Sequence, residues 1–331
     1  IDGDGDADLL LGKQDGSISK FENRGRSGAP QWVLIGEQVL ALQPPPDNPD
    51  GVVQQRPIRV GAFAAPALID LDGDGDLDLF VGTQDGRLWF FRNTGNNLLS
   101  IFRLESNNLL PESYGRYLVP FLADVNRDRA PDLLLGTESG QVFIFPNKGN
   151  LNRPAFCLER PALGALPETP LPCLPQPAVL ASIAPETHAA PALVDWSGTG
   201  RMDLFVGKSN GTIAFFENIG TGVRPDWRSR QTRFLAIDEG GFAAPAFLDT
   251  NGNGRPELMV GNSSTRVILY TNKDTGNLLD VWKVSSNLLG LERFGRDLER
   301  LILTSGDLDG DGDVDLIVGE RNGTLIRVTN M

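Results

Sequence analysis

The sequence predicts an all-β protein, a β-propeller of six recognisable four-stranded blades, and three observations lead to that prediction. An aspartate-rich loop of nine residues recurs at six places along the 331 residues. Glycine and asparagine follow every copy at fixed distances. The apolar runs between these markers have the length of strands and show no helical period. Such a unit cannot bury both of its faces alone, so several units must pack together.

The loop is most complete in two copies, which run from Asp70 to Asp78 and from Asp307 to Asp315. Each copy has aspartate at five of its nine positions and glycine at the fourth and sixth. Glycine allows the tight turn that makes neighbouring side chains face inward. A loop with this much negative charge needs a cation to close, and Ca²⁺ accepts about six to eight oxygen ligands in forgiving geometry. The sequence therefore predicts calcium in these loops.

The other copies keep oxygen-bearing side chains at the first, third, fifth and ninth loop positions but contain fewer carboxylates. The sequence thus predicts a graded series of two strong calcium sites, one or two intermediate sites and two weak ones. The weaker copies also carry Arg127 and Arg129, Arg201, or Arg255, and a guanidinium beside the site opposes a bound cation. The copy that opens the chain lacks its first ligand. The predicted ligands are Asp2, Asp4 and Asp8; Asp70, Asp72, Asp74, Asp76 and Asp78; Asp124, Asn126, Asp128 and Asp132; Asp195, Ser197, Thr199 and Asp203; Asp249, Asn251, Asn253 and Glu257; and Asp307, Asp309, Asp311, Asp313 and Asp315.

Markers beyond the loop exclude an EF-hand and define the strands. With the first aspartate counted as position 0, position 12 is glycine and position 23 is asparagine in all six copies. An EF-hand needs glutamate at the twelfth loop residue, where this chain has only leucine or valine. Four strands per unit follow: one ends at the loop, one follows it, one ends at the asparagine, and one surrounds an aromatic residue that is expected to pack between blades. The markers are Gly12, Gly82, Gly136, Gly207, Gly261 and Gly319; Asn23, Asn93, Asn147, Asn218, Asn272 and Asn330; Trp32, Phe102, Phe156, Trp227 and Trp282; and, in the strand before the loop, Pro66, Pro120, Pro191 and Pro245.

The distance between loops sets the number of blades. Successive copies start about 54 to 71 residues apart, and a four-stranded blade needs about 40 to 50 residues, so each interval holds one blade. The two long intervals contain proline-rich insertions at residues 43–57 and 161–177, which are expected to leave the blade as loops of polyproline character. The predicted domain is one propeller over residues 1–331, with approximate blades at 1–60, 61–116, 117–187, 188–241, 242–299 and 300–331.

The two ends of the repeat are incomplete. The sequence begins inside a calcium loop and its last unit lacks a fourth strand. Propellers close by pairing strands from their two ends, because an open sheet edge invites association. We therefore expect the native polypeptide to extend upstream of Ile1, with a seventh blade as an alternative to six.

The repeat resembles the FG-GAP/VCBS repeat family, which includes the propeller of integrin alpha chains. The resemblance rests on the Asp-x-Asp-Gly-Asp-Gly-x-x-Asp loop, on the segments Asp-Leu-Phe-Val-Gly and Gly-x-Leu-x-Phe-Phe-x-Asn, and on Ala-Pro-Ala-Leu at residues 65–68. It covers nearly the whole chain. In that family the loop lies between the first two strands of a blade and holds Ca²⁺ at the rim. The usual roles are adhesion, ligand binding and display outside the cell, and the resemblance implies the same for this chain.

Composition limits the partners and the location. The net charge is −13 and the isoelectric point is about 4.6, which argues against nucleic acid because phosphate binding needs clustered lysine and arginine. No segment reaches the roughly 18 apolar residues of a membrane span. High calcium and stable disulfides are features of compartments outside the cytosol. We expect an extracellular, cell-surface or periplasmic protein, in which Cys157 and Cys173 form either a disulfide or two free thiols.

The sequence favours a binding module over an enzyme. Calcium held by a full loop leaves little open coordination for catalysis, and His188, the single histidine, has no nucleophile motif beside it. Trp89 and Trp196 interrupt the repeat pattern, so they are candidate ligand contacts, with core packing as the alternative. We expect a non-enzymatic adhesion or protein-interaction module whose protein or glycan ligand meets the rim loops or the insertions. A carbohydrate-binding, lectin-like propeller is the alternative, and a polysaccharide-cleaving enzyme comes third, because no catalytic acid stands apart from the calcium loops.

Overall fold

The computed structural model describes most of the chain between Leu9 and Val328. The described residues are 9–24, 32–36, 38–46, 48–95, 99–110, 114–147, 156, 178–182, 188–221, 225–231, 234, 241–248, 255–262, 267–272, 281–285, 302–306, 315–319 and 325–328. Within these ranges the regular structure is β-strand, and no α-helix occurs. The all-β prediction is confirmed.

The strands form six sheets, in which strands that follow one another in sequence pair antiparallel. The first sheet contains β1 (Leu9–Gly12), β2 (Ile18–Asn23) and β3 (Trp32–Gly36). A hairpin of β4 (Leu40–Gln43) and β5 (Gln54–Pro57) joins the second sheet, which also contains β6 (Ala65–Ile69), β7 (Asp78–Gly82), β8 (Leu88–Asn93) and β9 (Phe102–Ser106). The third contains β10 (Val119–Ala123), β11 (Asp132–Gly136), β12 (Gln141–Phe145) and β13 (Ala178–Ser182), and the fourth β14 (Ala190–Val194), β15 (Asp203–Gly207), β16 (Ile213–Asn218) and β17 (Trp227–Gln231). The fifth contains β18 (Ala244–Leu248), β19 (Glu257–Gly261), β20 (Val267–Asn272) and β21 (Val281–Ser285), and the sixth β22 (Ile302–Gly306), β23 (Asp315–Gly319) and β24 (Leu325–Val328).

Each aspartate loop connects the first two strands of its sheet. In the second to sixth sheets the first strand, here named the leading strand, ends at the residue before the first loop aspartate. The second strand then starts at the ninth loop residue, as β7 does at Asp78 and β19 at Glu257. Both positions agree with the sequence prediction. The leading strands of successive sheets lie against one another, which places the loops of neighbouring units side by side.

The fourth strand of the third sheet differs from the prediction, which put it around Phe156. Phe156 makes only an isolated bridge to Asn147, and the strand that pairs with β12 is β13, more than twenty residues later. In three other units the same asparagine and aromatic positions pair at the start of a continuous ladder, as Asn93 and Phe102 do. The second proline-rich insertion, 161–177, falls between the bridge and β13 and lies outside the described residues, as do Cys157 and Cys173.

The first proline-rich insertion also differs from the prediction, because it is a β-hairpin. Leu40 pairs with Pro57 and Gln43 with Gln54, and β4 adds in parallel to the outer edge of β9. Apolar residues anchor the base of the hairpin: Ala41 and Ile58 are buried, and the Ile58 amide donates to the Val39 carbonyl at 2.8 Å. The prolines occupy the tip, where they do not interrupt the ladder.

The recurring glycine at position 12 is the contact between consecutive sheets. A Cβ atom on Gly82 would lie 2.1 Å from the Leu118 carbonyl oxygen and 2.9 Å from Cδ of Pro120. The glycine of one unit therefore admits the backbone and the proline that lead into the next unit. The same close approach recurs at three further junctions: Gly12 to Ala64 and Pro66, Gly136 to Ala189 and Pro191, and Gly207 to Ala243 and Pro245.

Candidate metal centre

Three of the six predicted loops are described throughout: 70–78, 124–132 and 195–203. Glu257 and Asp315 are described as the first residues of β19 and β23. The other predicted ligands lie outside the described residues. They are Asp2, Asp4, Asp8, Asp249, Asn251, Asn253, Asp307, Asp309, Asp311 and Asp313.

The first aspartate of each described loop accepts hydrogen bonds from the loop's own backbone. The Gly73 and Gly75 amides donate to the Asp70 carboxylate at 2.7 and 3.1 Å. This pattern needs left-handed backbone, with φ of 75° and 93° at the two glycines. The other two loops repeat both features: Asp128 and Arg129 donate to Asp124, Thr199 and Gly200 donate to Asp195, and positive φ recurs at Arg127, Arg129, Gly198 and Gly200.

The ninth loop residue is buried and ties the loop to the third strand. Asp78 is 1% exposed and accepts the Asn93 amide at 2.7 Å. Its counterparts Asp132 and Asp203 accept the amides of Asn147 and Asn218 at 2.8 and 2.7 Å. The recurring asparagine therefore completes the loop from another strand. Its own side chain organises the next turn, since Asn93 Oδ1 accepts the amides of Gly95 and Ile101.

The loops differ in which carboxylate oxygens remain without a partner. Asp132 and Asp203 use both oxygens, because their second oxygens accept the amides of Val125 and Ser197 at 3.2 and 2.8 Å. In the loop 70–78, Asp78 Oδ2 and Asp72 Oδ1 are buried and have no hydrogen-bond partner. An oxygen with a negative charge and no partner is costly to bury. Among the described loops, 70–78 is the one that leaves such oxygens.

The remaining carboxylates of the loop 70–78 converge on the same space. Oxygens of Asp70, Asp72 and Asp74 lie within 4.8 Å of one another. Together with Asp78 they supply the all-oxygen ligand set that suits Ca²⁺. The residues present therefore fit a hard divalent cation, and the unpartnered buried oxygen of Asp78 is the observation that distinguishes this loop from a mere cluster of acids.

Burial perturbs the acids of these loops. Burial raises the pKa of Asp78 to about 7, against the opposing effects of the Asn93 amide and Arg92. Burial likewise raises the pKa of Asp132 to about 6 and that of Asp203 above its usual range. The pKa of Asp76 is raised by burial and then by its neighbours Asp74, Asp70 and Asp72. A divalent cation would act in the opposite direction, because it favours the ionised form of its ligands.

The arginines of the loops occupy different places. Arg92, on β8, donates to Asp72 Oδ2 of the loop 70–78. Arg201 turns to the backbone and donates to the Asn218 carbonyl at 2.8 Å. Arg127 reaches the next loop, where a Cβ on Gly200 would lie 2.6 Å from its Nη2 atom. The structure thus places Arg127 between two neighbouring loops, a position that the sequence does not reveal.

The two tryptophans proposed as ligand contacts occupy packing positions. Trp196 is 5% exposed and lies among Phe205, Phe234 and Phe247, so it offers little surface to a ligand. Trp89 is half-buried, and its ring stacks on that of Phe91 with centroids 6.1 Å apart. Its Nε1 atom is buried without a hydrogen-bond partner.

A row of aromatic rings, missed in the sequence, precedes the leading strands. Phe63, Tyr117, His188 and Phe242 each stand seven residues before a first loop aspartate, and all have positive φ, between 51° and 66°. Successive ring centroids are 5.2, 5.2 and 5.6 Å apart. We call these four residues the aromatic row. It lies at the opposite end of the leading strands from the loops and makes the single histidine a packing ring. The signal was their shared position, which their differing chemistry obscured.

Comparison with known proteins supports one family. The family model for the FG-GAP-like repeat matches residues 70–135, 195–260 and 249–318, which together cover more than half of the chain. A search of curated proteins finds no match. Within the described residues, no helix is long and apolar enough to cross a membrane.

Solved structures show a similar fold at low sequence identity. One is a lectin of Agrocybe aegerita that specifically recognises non-reducing terminal N-acetylglucosamine, with 17% identity, a TM-score of 0.51, and coverage of 98% of this chain and 73% of that chain. Another is BBS1N in complex with ARL6DN, at 14% identity and a TM-score of 0.46, covering 99% of this chain and 76% of that chain. A third, TcdB2-TccC3, has 19% identity and a TM-score of 0.39 and covers 99% of this chain and 14% of that chain.

Proposed function

The chain belongs to the FG-GAP-like repeat family, and on that basis we propose that it is a non-enzymatic, calcium-stabilised β-propeller that acts outside the cytosol as an adhesion or protein-interaction module. The observation that carries the calcium part is the loop 70–78. It combines an unpartnered oxygen on the buried Asp78 with three further carboxylates within 4.8 Å of one another. The family carries the interaction part, since the repeats are typical of extracellular binding proteins.

The aromatic row supports six units per turn. Successive ring planes in the row are inclined by 59°, 65° and 64°. Equivalent planes related by rotation about one axis cannot be inclined by more than the rotation itself. Six units need about 60° each, whereas seven need only about 51°, and propellers of both sizes exist. The inclinations favour six blades.

Calcium in this proposal acts on structure rather than on chemistry. Asp70, Asp72, Asp74 and Asp78 would hold the ion, and the ion supplies the positive charge that lets these carboxylates share one loop. The loop then fixes the end of the leading strand β6 against the start of β7. Loops 124–132 and 195–203, whose ninth residues are fully hydrogen-bonded, would depend less on an ion.

The tip of the β4–β5 hairpin supports the interaction part of the proposal. Two successive turns order it, since the Asn48 amide donates to the Pro45 carbonyl at 3.0 Å and the Gly51 amide to the Asn48 carbonyl at 2.9 Å. The neighbouring Val52 and Val53 are 73% and 49% exposed. Apolar side chains presented on a preordered turn lose little entropy on binding. A protein partner with an apolar pocket suits this surface.

Calcium removal tests the structural role. Purified protein is melted with excess Ca²⁺ and again with EDTA. An ion at about 100 times its Kd stabilises the folded state by about 2.7 kcal/mol, so chelation should lower Tm by several degrees. Adding Mg²⁺ back should not restore it, because Mg²⁺ demands stricter geometry. An unchanged Tm in EDTA would overturn the structural calcium role.

Peptide panning tests the interaction surface. Random displayed peptides are selected on the wild-type protein and re-tested on a Val52→Asp/Val53→Asp variant and on Leu99→Asp, a control with 61% exposure outside the hairpin. Selected peptides should lose binding to the valine variant and keep it on the control. Equal binding to all three proteins would move the interaction surface elsewhere.

Glycan binding is the second candidate, and the aromatic row favours it. The row presents half-buried rings beside hydrogen-bonding groups, such as the Gln84 amide that donates to the Tyr117 hydroxyl at 2.6 Å. Sugars bind to surfaces that combine aromatic and polar groups, and a lectin shares the fold. A glycan array tests this candidate. Saccharide binding that disappears in Tyr117→Ala but persists in the valine variant would support a lectin, and absence of any saccharide binding would exclude it.

A further inference from the structure

Arg92 stands out because it brings a positive charge into the most acidic of the described loops. In the three loops that the structure describes throughout, it is the one basic residue paired with a loop carboxylate, Asp72. Its counterparts in the other two loops, 22 residues after the first aspartate, are Pro146 and Glu217. The arginine therefore occurs where the carboxylates are most numerous.

Arg92 and its neighbour Asn93 hold the loop from the same strand. The Asn93 amide donates to Asp78 Oδ1, and the Arg92 guanidinium donates to Asp72 Oδ2. The guanidinium also lies 5.5 Å from the centre of the Phe90 ring, and only 27% of the Arg92 side chain is exposed. Strand β8 thus fixes two of the loop carboxylates at once.

The two oxygens of Asp72 have separate roles. Oδ2 receives the guanidinium, while Oδ1 is buried and has no partner. A carboxylate held this way keeps one oxygen directed elsewhere, which is how a residue behind a metal ligand commonly orients it. Arginine suits the task, because its rigid planar fork fixes a carboxylate better than the flexible ammonium of lysine.

We propose that Arg92 is a built-in counter-cation of the loop 70–78, which holds Asp72 in place without metal and leaves Asp72 Oδ1 for the ion. This inference rests on the proposed calcium role of the loop. The guanidinium reduces the mutual repulsion of the carboxylates, so the loop keeps its shape when calcium is low. Arg92 is thus a positioning residue that makes this loop less dependent on calcium than its charge would suggest.

Hydrogen exchange of the peptide that contains residues 70–78 tests the proposal. The exchange rate is measured by mass spectrometry in EDTA and in saturating Ca²⁺ for wild type, Arg92→Met, Arg92→Lys and Arg103→Met. Arg103 is the matched control, because it lies directly opposite Arg92 on β9 and is exposed. Peptides from β7 and β11 report whether each variant is folded.

The proposal predicts a specific pattern. In EDTA, Arg92→Met should exchange about tenfold faster than wild type in this loop, the factor expected when one charge-assisted hydrogen bond is lost. Calcium should restore its protection, Arg92→Lys should recover part of it without calcium, and Arg103→Met should match wild type. Unchanged loop exchange in Arg92→Met, or a lysine variant as unprotected as the methionine variant, would overturn the counter-cation.

The same measurement separates this inference from the calcium proposal. If calcium alters exchange in neither wild type nor Arg92→Met, the calcium role fails and the inference in its metal-linked form fails with it. If calcium protects wild type and Arg92→Met equally from the same starting rate, the calcium role stands and only the role of Arg92 is overturned.

Discussion

Replacing Gly82 by alanine tests whether consecutive sheets meet as closely as the structure shows. The added Cβ would lie 2.1 Å from the Leu118 carbonyl oxygen, whereas an ordinary contact begins at 3.4 Å. Leu118 cannot easily retreat, because it is 1% exposed and its amide donates to the Thr83 carbonyl at 3.1 Å. The substitution must therefore displace backbone at the junction of two sheets.

The expected cost follows from two opposing effects. Overpacking of this kind costs about 1–3 kcal/mol or more, while alanine regains about 0.4–1 kcal/mol by restricting the unfolded chain. The backbone clash is the larger effect, so Gly82→Ala should lower the free energy of unfolding by about 2 kcal/mol. A second change, Pro120→Ala, should not rescue it, because the nearest atom is a carbonyl oxygen rather than the proline ring.

Urea denaturation in saturating Ca²⁺ measures the effect, with Gly36→Ala as the matched control. Gly36 also ends a strand, but its added Cβ would meet nothing closer than 3.4 Å. The control should equal wild type or exceed it slightly. A Gly82→Ala protein within about 0.5 kcal/mol of wild type, the range of neutral surface changes, would refute the close contact between sheets.

Three further predictions concern the loops. Asn93→Ala removes the carbonyl oxygen that accepts two backbone amides and should lower the free energy of unfolding by about 2 kcal/mol in urea, so wild-type stability would contradict its role. Arg129→Gly relieves a left-handed backbone at φ 71° and should raise the unfolding free energy by about 1 kcal/mol, so a decrease would argue against strain there. Asp78→Asn should shrink the rise of Tm on adding Ca²⁺, whereas Asp203→Asn should lower Tm equally with and without Ca²⁺. Full calcium responses in both variants would count against Asp78 as a ligand.

Much of the fold follows from markers that repeat in register. The first loop aspartate and the ninth loop residue bound the first two strands in every unit where both strands are described, because a loop of fixed length joins them. The glycine at position 12 was visible as a marker, but its role was not. That role depends on the backbone of the next sheet, which Gly82 meets at Leu118, and no local pattern encodes such a contact.

The errors of the sequence prediction arise where partners are distant in the chain. The bridge at Phe156 has the right residues but no continuing ladder, since β13 takes the place beside β12. Proline content suggested polyproline loops, yet apolar residues at the base of the first insertion form a hairpin that pairs with β9. The aromatic row was missed because phenylalanine, tyrosine and histidine share a position but not a residue type.

The candidate site was predicted in its ligands but not in its supports. The repeated aspartates identify the loop, and the position of Asn93 could be read as a marker. That the Asn93 amide supports Asp78, and that Arg92 supports Asp72, depends on the fold of β8 against the loop. Such contacts join residues about 15 to 20 apart and have no local signature.

The β4–β5 hairpin has a consequence for how the protein fails. Because β4 follows the first sheet in sequence yet pairs with β9 of the second, it covers a sheet edge that would otherwise offer unpaired amides and carbonyls. Loss of order in the first unit would pull this cover away and expose β9. Exposed edges seed pairing between chains, so damage at one end of the repeat should lead to aggregation through the neighbouring unit rather than to quiet local melting.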